Sequence, residues 1–234
     1  MRAPLHTAIL LFLRNEQEEA RAKALRAHFG SRRSLRMVRA LNHHALHVSQ
    51  QSGLPVIVIK GEQQIGNNFG ERFANAFEEA FAAGYENVIA IGNDCLSLST
   101  EHLHKAAALL NSGEGLVLGP AEDGGAYIVG VHRGAYQRAP FINLPWQTPE
   151  VLEALISYAR QQRAVCSYLP MAQDMDDAPA FRKVVSQMPV HLRIVQILRN
   201  ILKKSALQPA DAPLPARQDT HSTRSLRAPP LLTR

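Results

Sequence analysis

Three short stretches of this 234-residue sequence set acidic side chains where they could meet a phosphate-bearing ligand: Ile91-Gly92-Asn93-Asp94-Cys95, Gly119-Pro120-Ala121-Glu122-Asp123-Gly124-Gly125 and Asp174-Met175-Asp176-Asp177. Carboxylates are hard oxygen ligands, and two of them from separate loops can share a divalent cation whose shell a nucleotide diphosphate completes. Each stretch taken singly also fits a turn or a helix cap. Asp123-Gly124-Gly125 in particular is a strong hairpin signal, joining the run 116–118 to the run that begins near Tyr127. Placement decides between these readings, because in open α/β sheets ligands bind outside the carboxyl ends of the strands.

The elements around these stretches give that placement. Strand-like runs at 7–13, 55–60, 87–91, 116–118, 126–131 and 165–169 alternate with helical spacing at 69–83, 101–110 and 148–160. The alternation predicts an α/β fold with a largely parallel sheet. Within 69–83, Phe73, Ala76, Phe77, Ala80 and Phe81 recur at i, i+3 and i+4 steps, which makes them a stripe facing a sheet, with Glu78 and Glu79 turned away. Ser99 and Thr100 cap the next helix, so Asp94 falls in the loop at the carboxyl end of a strand. The segment 190–204 carries Leu192, Val195, Leu198 and Leu202 on one face, an amphipathic helix that packs on its own domain or lies on a membrane surface. After Lys204 come five prolines with scattered arginine and no apolar period, which predicts a folded domain over 1–204 and a disordered tail over 205–234.

Taken in order, the residues from Gly70 to Asp177 resemble the DUF2064 family, described as glycosyltransferase-like within the nucleotide-diphospho-sugar transferase (GT-A) superfamily. Gly70-Glu71-Arg72, the Asp94-Cys95 pair, the run Leu118-Gly119-Pro120-Ala121-Glu122-Asp123-Gly124-Gly125-Ala126-Tyr127, Trp146 with Thr148, and Asp174-Met175-Asp176 carry the resemblance. It implies a single Rossmann-like α/β domain, mostly parallel in its central sheet and with helices on both faces, that transfers a glycosyl or nucleotidyl group from a nucleotide or nucleotide-sugar donor to a small-molecule acceptor. The resemblance further implies that Asp94 and Asp176 hold a divalent cation, Mg or Mn. Glu122 and Asp123 would line the acceptor side as base or hydroxyl partners beside Gly124, Gly125 and Trp146. Trp146 is equally readable as a core aromatic.

The sequence departs from that family just after its first strand. A glycine-containing loop with basic residues is expected there to clasp phosphates, whereas Arg14 to Leu25 holds neither Gly nor Pro and reads as a helix starting near Asn15. Arg21 and Lys23 keep the basic character and, with Arg72, are the candidate phosphate contacts. The same departure supports an alternative, a non-catalytic binding or regulatory module with a degenerate phosphate loop.

Composition excludes other classes. Apolar residues make up 46% and charged residues 20%, as in ordinary globular chains, and two cysteines do not make a disulfide scaffold, so a reduced, cytoplasmic setting is expected. The apolar run at 8–13 is far short of the roughly 20 residues that span a bilayer, and no small-x-small cleavage pattern follows it, so neither a transmembrane helix nor a secretory signal is expected. The net charge of +6 suits an anionic ligand, but the arginines between 21 and 39 lack interleaved aromatics apart from Phe29, so nucleic acid is not the expected partner. His43, His44 and His47 include an i, i+4 pair without a carboxylate, in a segment leading to the strand-like 45–48, and His102 and His104 sit on an exposed helix.

Overall fold

The computed structural model describes residues 5–23, 29–173, 178–189 and 192–203. The tail at 205–234 and the stretch Asp174-Met175-Asp176-Asp177 lie outside them. The strands are β1 (Leu5–Leu13), β2 (Val56–Lys60), β3 (Tyr85–Ile91), β4 (Leu116–Pro120), β5 (Ala126–His132) and β6 (Cys166–Tyr168). The helices are α1 (Glu16–Ala22), α2 (Ser31–Gln51), α3 (Phe69–Ala82), α4 (Thr100–Asn111), α5 (Arg138–Ile142), α6 (Val151–Gln161), α7 (Ala178–Gln187) and α8 (Arg193–Lys203).

The six strands form one sheet in the order β2-β1-β3-β5-β4-β6. β1 runs parallel to β2 and β3, and β4 parallel to β6, while β5 is antiparallel to both of its neighbours. Central strands covered on both faces must be apolar on both, and β1 shows this directly. Ile9, Leu11 and Leu13 point into a core with Ala45 and Val48 of α2 and Leu103, Ala106 and Leu110 of α4. Leu10 and Phe12 point into the opposite core with the α3 stripe Phe73, Ala76, Phe77, Ala80 and Phe81 and with Leu155 and Tyr158 of α6. The fold is thus a mixed α/β sandwich with a mostly parallel sheet and helices on both faces, as the resemblance implies.

Two local readings of the sequence are corrected. The strand-like 45–48 belongs to the 21-residue helix α2, because Met37, Val38, Leu41, Ala45 and Val48 form a buried stripe at helical spacing that outweighs the local propensity of the short run. The helix expected from Thr148 begins at Val151, with Glu150 at its N-cap, so Pro149 stands ahead of it.

A third cluster lies outside the two sheet cores. Ile194, Val195, Leu198 and Ile201 of α8 pack with Met37, Val38 and Leu41 of α2 and with Phe181 and Val184 of α7. The amphipathic helix is therefore docked on its own fold, and its buried face is shifted from the sequence-derived stripe, leaving Leu192 and Leu202 half-buried at the margin. Among the described residues no helix is long and apolar enough to cross a membrane.

One polar group is built into the layer between β1, β3 and α4. Asn87 is 2% exposed; its amide donates to the Thr7 hydroxyl at 3.2 Å and to Asn111 Oδ1 at 2.7 Å, while Thr7 donates to the same Oδ1 at 3.1 Å. The amide nitrogen is satisfied in this way, while Asn87 Oδ1 is buried without a hydrogen-bond partner among the described residues.

Candidate active site

A cleft of about 550 Å³ opens where the carboxyl ends of β1 and β3 meet the start of β5, a volume in the range of small-molecule sites. Its apolar wall is aromatic: Phe12, Phe69, Phe73 and Trp146 line it, with the Trp146 ring 5.0 Å from that of Phe73 and 5.8 Å from that of Phe69. Trp146 Nε1 donates to the Phe141 carbonyl at 2.8 Å, so the ring is half-buried core and cleft wall at once. Gly70, at the start of α3, is required by the close approach of the end of α5: a Cβ there would stand 2.1 Å from the Ile142 carbonyl oxygen.

The polar end is built on the loop after β3. Asn93 is buried and its amide donates to Asn42 Oδ1 of α2; His44 Nε2 donates to the Leu96 carbonyl at 3.3 Å. α2 thus holds the loop on both sides of Asp94. The Asp94 carboxylate, 42% exposed in its side chain, accepts from the Lys23 ammonium just beyond α1, whose side chain is only 3% exposed and also lies 3.4 Å from Glu19 Oε1. Glu19, 8% exposed, faces Arg14 at 3.9 Å. Burial first, and then the Asp94 carboxylate, push the Glu19 carboxyl above its usual range against the pull of Lys23 and Arg14. Asn15 caps α1 by accepting from the Gln17 N–H, and the three glutamates of the first turn suit the positive end of the helix. A helix therefore stands where a phosphate-clasping glycine loop is expected.

Across the cleft, β4 and β5 are joined by the hairpin that Asp123-Gly124-Gly125 predicts, closed by the Ala121 N–H donating to the Gly125 carbonyl at 3.0 Å. Asp123 accepts the Gly125 N–H at 2.8 Å, and Asp123 and Gly125 line the cleft. Glu122 does not: its backbone pairs with Ala172 and its carboxylate accepts from Gln173, which turns it outward. Gly124 is spent on packing against Pro149. Arg21 is exposed and does not line the cleft, whereas Lys23 does. Arg72 lines a smaller adjoining cleft of about 370 Å³ with Arg14, and its Nε donates to the Gly66 carbonyl at 2.9 Å. Asp176 lies outside the described residues.

Arg14, Glu19 and Gln147 line the cleft without standing among the site candidates that the sequence offers. Arg14 follows β1 directly and so was findable by the strand-end rule. Gln147, which borders both clefts, has a φ of 67°, a left-handed backbone uncommon for a residue with a Cβ; nothing in the sequence signals it.

The described residues give no fit for a Mg or Mn ion at Asp94. Its carboxylate is engaged by a buried ammonium, and among the described residues no group of three His, Cys, Asp or Glu side chains could hold a metal ion. The histidines are accounted for structurally. His43 and His47 stack on one face of α2, His104 Nε2 donates to the Ser52 carbonyl, and His102 Nδ1 accepts the Ser99 N–H as part of the α4 cap. Tyr127 has its hydroxyl, pushed up to about 12 by burial and then by Cys95, donating to the Pro170 carbonyl.

Burial lowers the pKa of His44 below its usual value. Its folded pKa thus lies under the unfolded value of about 6.5, so the stability it contributes is full above that pH and is lost as acidification protonates the unfolded chain first. Between pH 7.5 and 5.5 the melting temperature of the wild type is expected to fall further than that of His44→Gln; equal slopes would remove His44 as the cause.

Strand order and covered faces define a layered α/β fold with a cleft at the strand ends. A crystal structure of a candidate nucleotide-diphospho-sugar transferase from Desulfovibrio desulfuricans G20 is similar, with a TM-score of 0.74 at 20% identity over 85% of this chain and 97% of that one. The protein Rv0371c of Mycobacterium tuberculosis H37Rv is more distant, with a TM-score of 0.45 at 10% identity over 80% of this chain and 100% of that one. No curated protein matches the sequence. The model of the family described as "Uncharacterized protein conserved in bacteria (DUF2064)" matches residues 22–148, more than half of the sequence, and the chain belongs to that family.

Proposed function

We propose that the chain is a transferase that binds a nucleotide-activated donor in the strand-end cleft and passes a glycosyl or nucleotidyl group to a small-molecule acceptor. The observation that carries this reading is the cleft itself, with an aromatic wall, Arg14 and Lys23 paired with Glu19 and Asp94 at the β1 and β3 ends, and the Asp123 carboxylate on the opposite hairpin. The aromatic wall suits the flat face of a base or sugar, and Arg14 with Lys23 suits the diphosphate. Asp123 has one oxygen tied to the Gly125 N–H, which orients the carboxylate to take the proton of an acceptor hydroxyl as its oxygen attacks. The bond from the transferred group to the departing phosphate oxygen then breaks, and the phosphate leaves with that electron pair.

A specific observation favours a second reading. The glutamate-headed α1 occupies the place of a phosphate loop, and a chain that has lost that loop while keeping the cleft would serve as a non-catalytic nucleotide-binding or regulatory module. A thermal-shift screen of nucleoside diphosphates and nucleotide sugars, with and without Mg or Mn, tests both. A ligand bound at about a hundred times its Kd stabilises the fold by about 2.7 kcal/mol, an expected rise of several degrees. Binding with release of the transferred group to water or an added acceptor supports the transferase; binding with no turnover supports the module; no shift for any nucleotide ends both.

A further inference from the structure

We infer that Lys23 is the resident cation of this site, so that anionic ligands enter the cleft without a divalent metal. The inference rests on reading the cleft as a diphosphate site. Three facts lead to it. Lys23 bonds the carboxylate of Asp94, the acid at the β3 end, and at the same time faces Glu19 at 3.4 Å. Lys23 lines the cleft with its side chain only 3% exposed, so water screens its charge less than it would on the surface. A divalent ion bonding Asp94 at about 2.0–2.6 Å would stand beside that ammonium, and like charges held that close repel.

The geometry also explains the chemistry of the substituted helix. α1 runs straight from the end of β1 and carries Glu19 on the buried side one turn before Lys23, so the lysine is held between two carboxylates that fix its position. A lysine brings its charge with the fold and needs no second ligand from another loop. Its cost is that the charge cannot be exchanged or removed by chelation. Arg14, shared by the main and the adjoining cleft, extends the positive field towards the mouth.

The test is calorimetric titration of the full chain with pyrophosphate and with ADP, GDP, CDP and UDP, each in EDTA and in millimolar Mg, together with a titration by Mn alone. Binding in EDTA with a Kd within about twofold of that in Mg, and no saturable Mn uptake, is the expected result. Lys23→Gln is expected to weaken binding by about tenfold or more, as loss of a charged contact does. Asp94→Asn removes the carboxylate that competes for the ammonium, and is expected to tighten metal-free binding severalfold. Should Lys23→Gln fail to fold, the wild-type titrations and Asp94→Asn decide alone. Binding that requires Mg, or Mn uptake that Asp94→Asn abolishes, overturns the inference and leaves the transferase reading standing. If none of these anions binds in either condition, the diphosphate reading of the cleft falls and the inference with it.

Discussion

Gly124→Ala is expected to destabilise the fold by about 3 kcal/mol, the sum of two separate costs. The residue has a φ of +88°, and forcing a side chain into left-handed backbone costs about 1–2 kcal/mol. The new Cβ would also stand 2.1 Å from the Pro149 carbonyl oxygen, where only backbone can yield, and overpacking of that kind costs about 1–3 kcal/mol. The Gly124 carbonyl accepts from Leu152 N–H at 3.1 Å and so satisfies a donor at the start of α6; displacing the hairpin strains that bond too. Urea denaturation should show the full loss with an unchanged m-value, and a fall of roughly 10 °C in Tm. A loss below about 1 kcal/mol would mean that the hairpin tip does not bear on Pro149. Thr148 and Asp123 flank this contact, so any ligand affinity of the cleft is expected to drop with it.

The second large effect belongs to Phe73. Its ring lies 5.2 Å from Phe12, 5.0 Å from Phe77, 5.9 Å from Phe141 and 5.0 Å from Trp146, and the side chain is almost wholly buried between sheet and cleft. Removing it leaves a void that the surrounding rings cannot all close, so Phe73→Ala is expected to cost about 3–5 kcal/mol. Phe73→Leu keeps most of the apolar volume and should lose less. Because Phe73 also lines the cleft, the alanine variant enlarges the aromatic pocket and the leucine variant flattens one wall. Denaturation curves of the two variants against the wild type separate volume from ring contacts: a Phe73→Leu variant as stable as the wild type would show that the ring contacts contribute nothing beyond volume.

The α3 stripe and the strands were legible because burial on a helix or a strand imposes a period, and Phe73, Phe77 and Phe81 or the run around Ile9 display it without help. The hairpin at Asp123 was legible because left-handed turn positions demand glycine. The 45–48 segment misled for the opposite reason: four residues are too few to show a period, and only the stripe back to Met37 reveals the helix. The antiparallel direction of β5 follows from that short hairpin, but its place between β3 and β4 is a matter of tertiary pairing. The Lys23–Asp94 pair was the least visible. Both residues are site candidates by type, one for phosphate and the other for a cation, yet 71 positions separate them, and no local rule brings an ammonium to one particular carboxylate. Glu122 and Asp123 are adjacent and chemically alike; which of them faces the cleft is decided by the bridge of the neighbouring backbone to Ala172.

The Asn87, Thr7 and Asn111 group bears on register. Strands that are apolar on both faces resist slipping poorly, since a shift of one residue exchanges one hydrophobic face for another. β1 and β3 are of this kind from Ala8 to Leu11 and from Val88 to Ile91. Thr7 pairs with Asn87 across the ladder, and in any other alignment that buried amide would lose the hydroxyl it bonds. A step of one residue moves a strand by about 3.3 Å along its neighbour, enough to carry Asp94 away from the end of α1. A polar peg at one end of these strands thus acts as the ruler for the charged pair at the other.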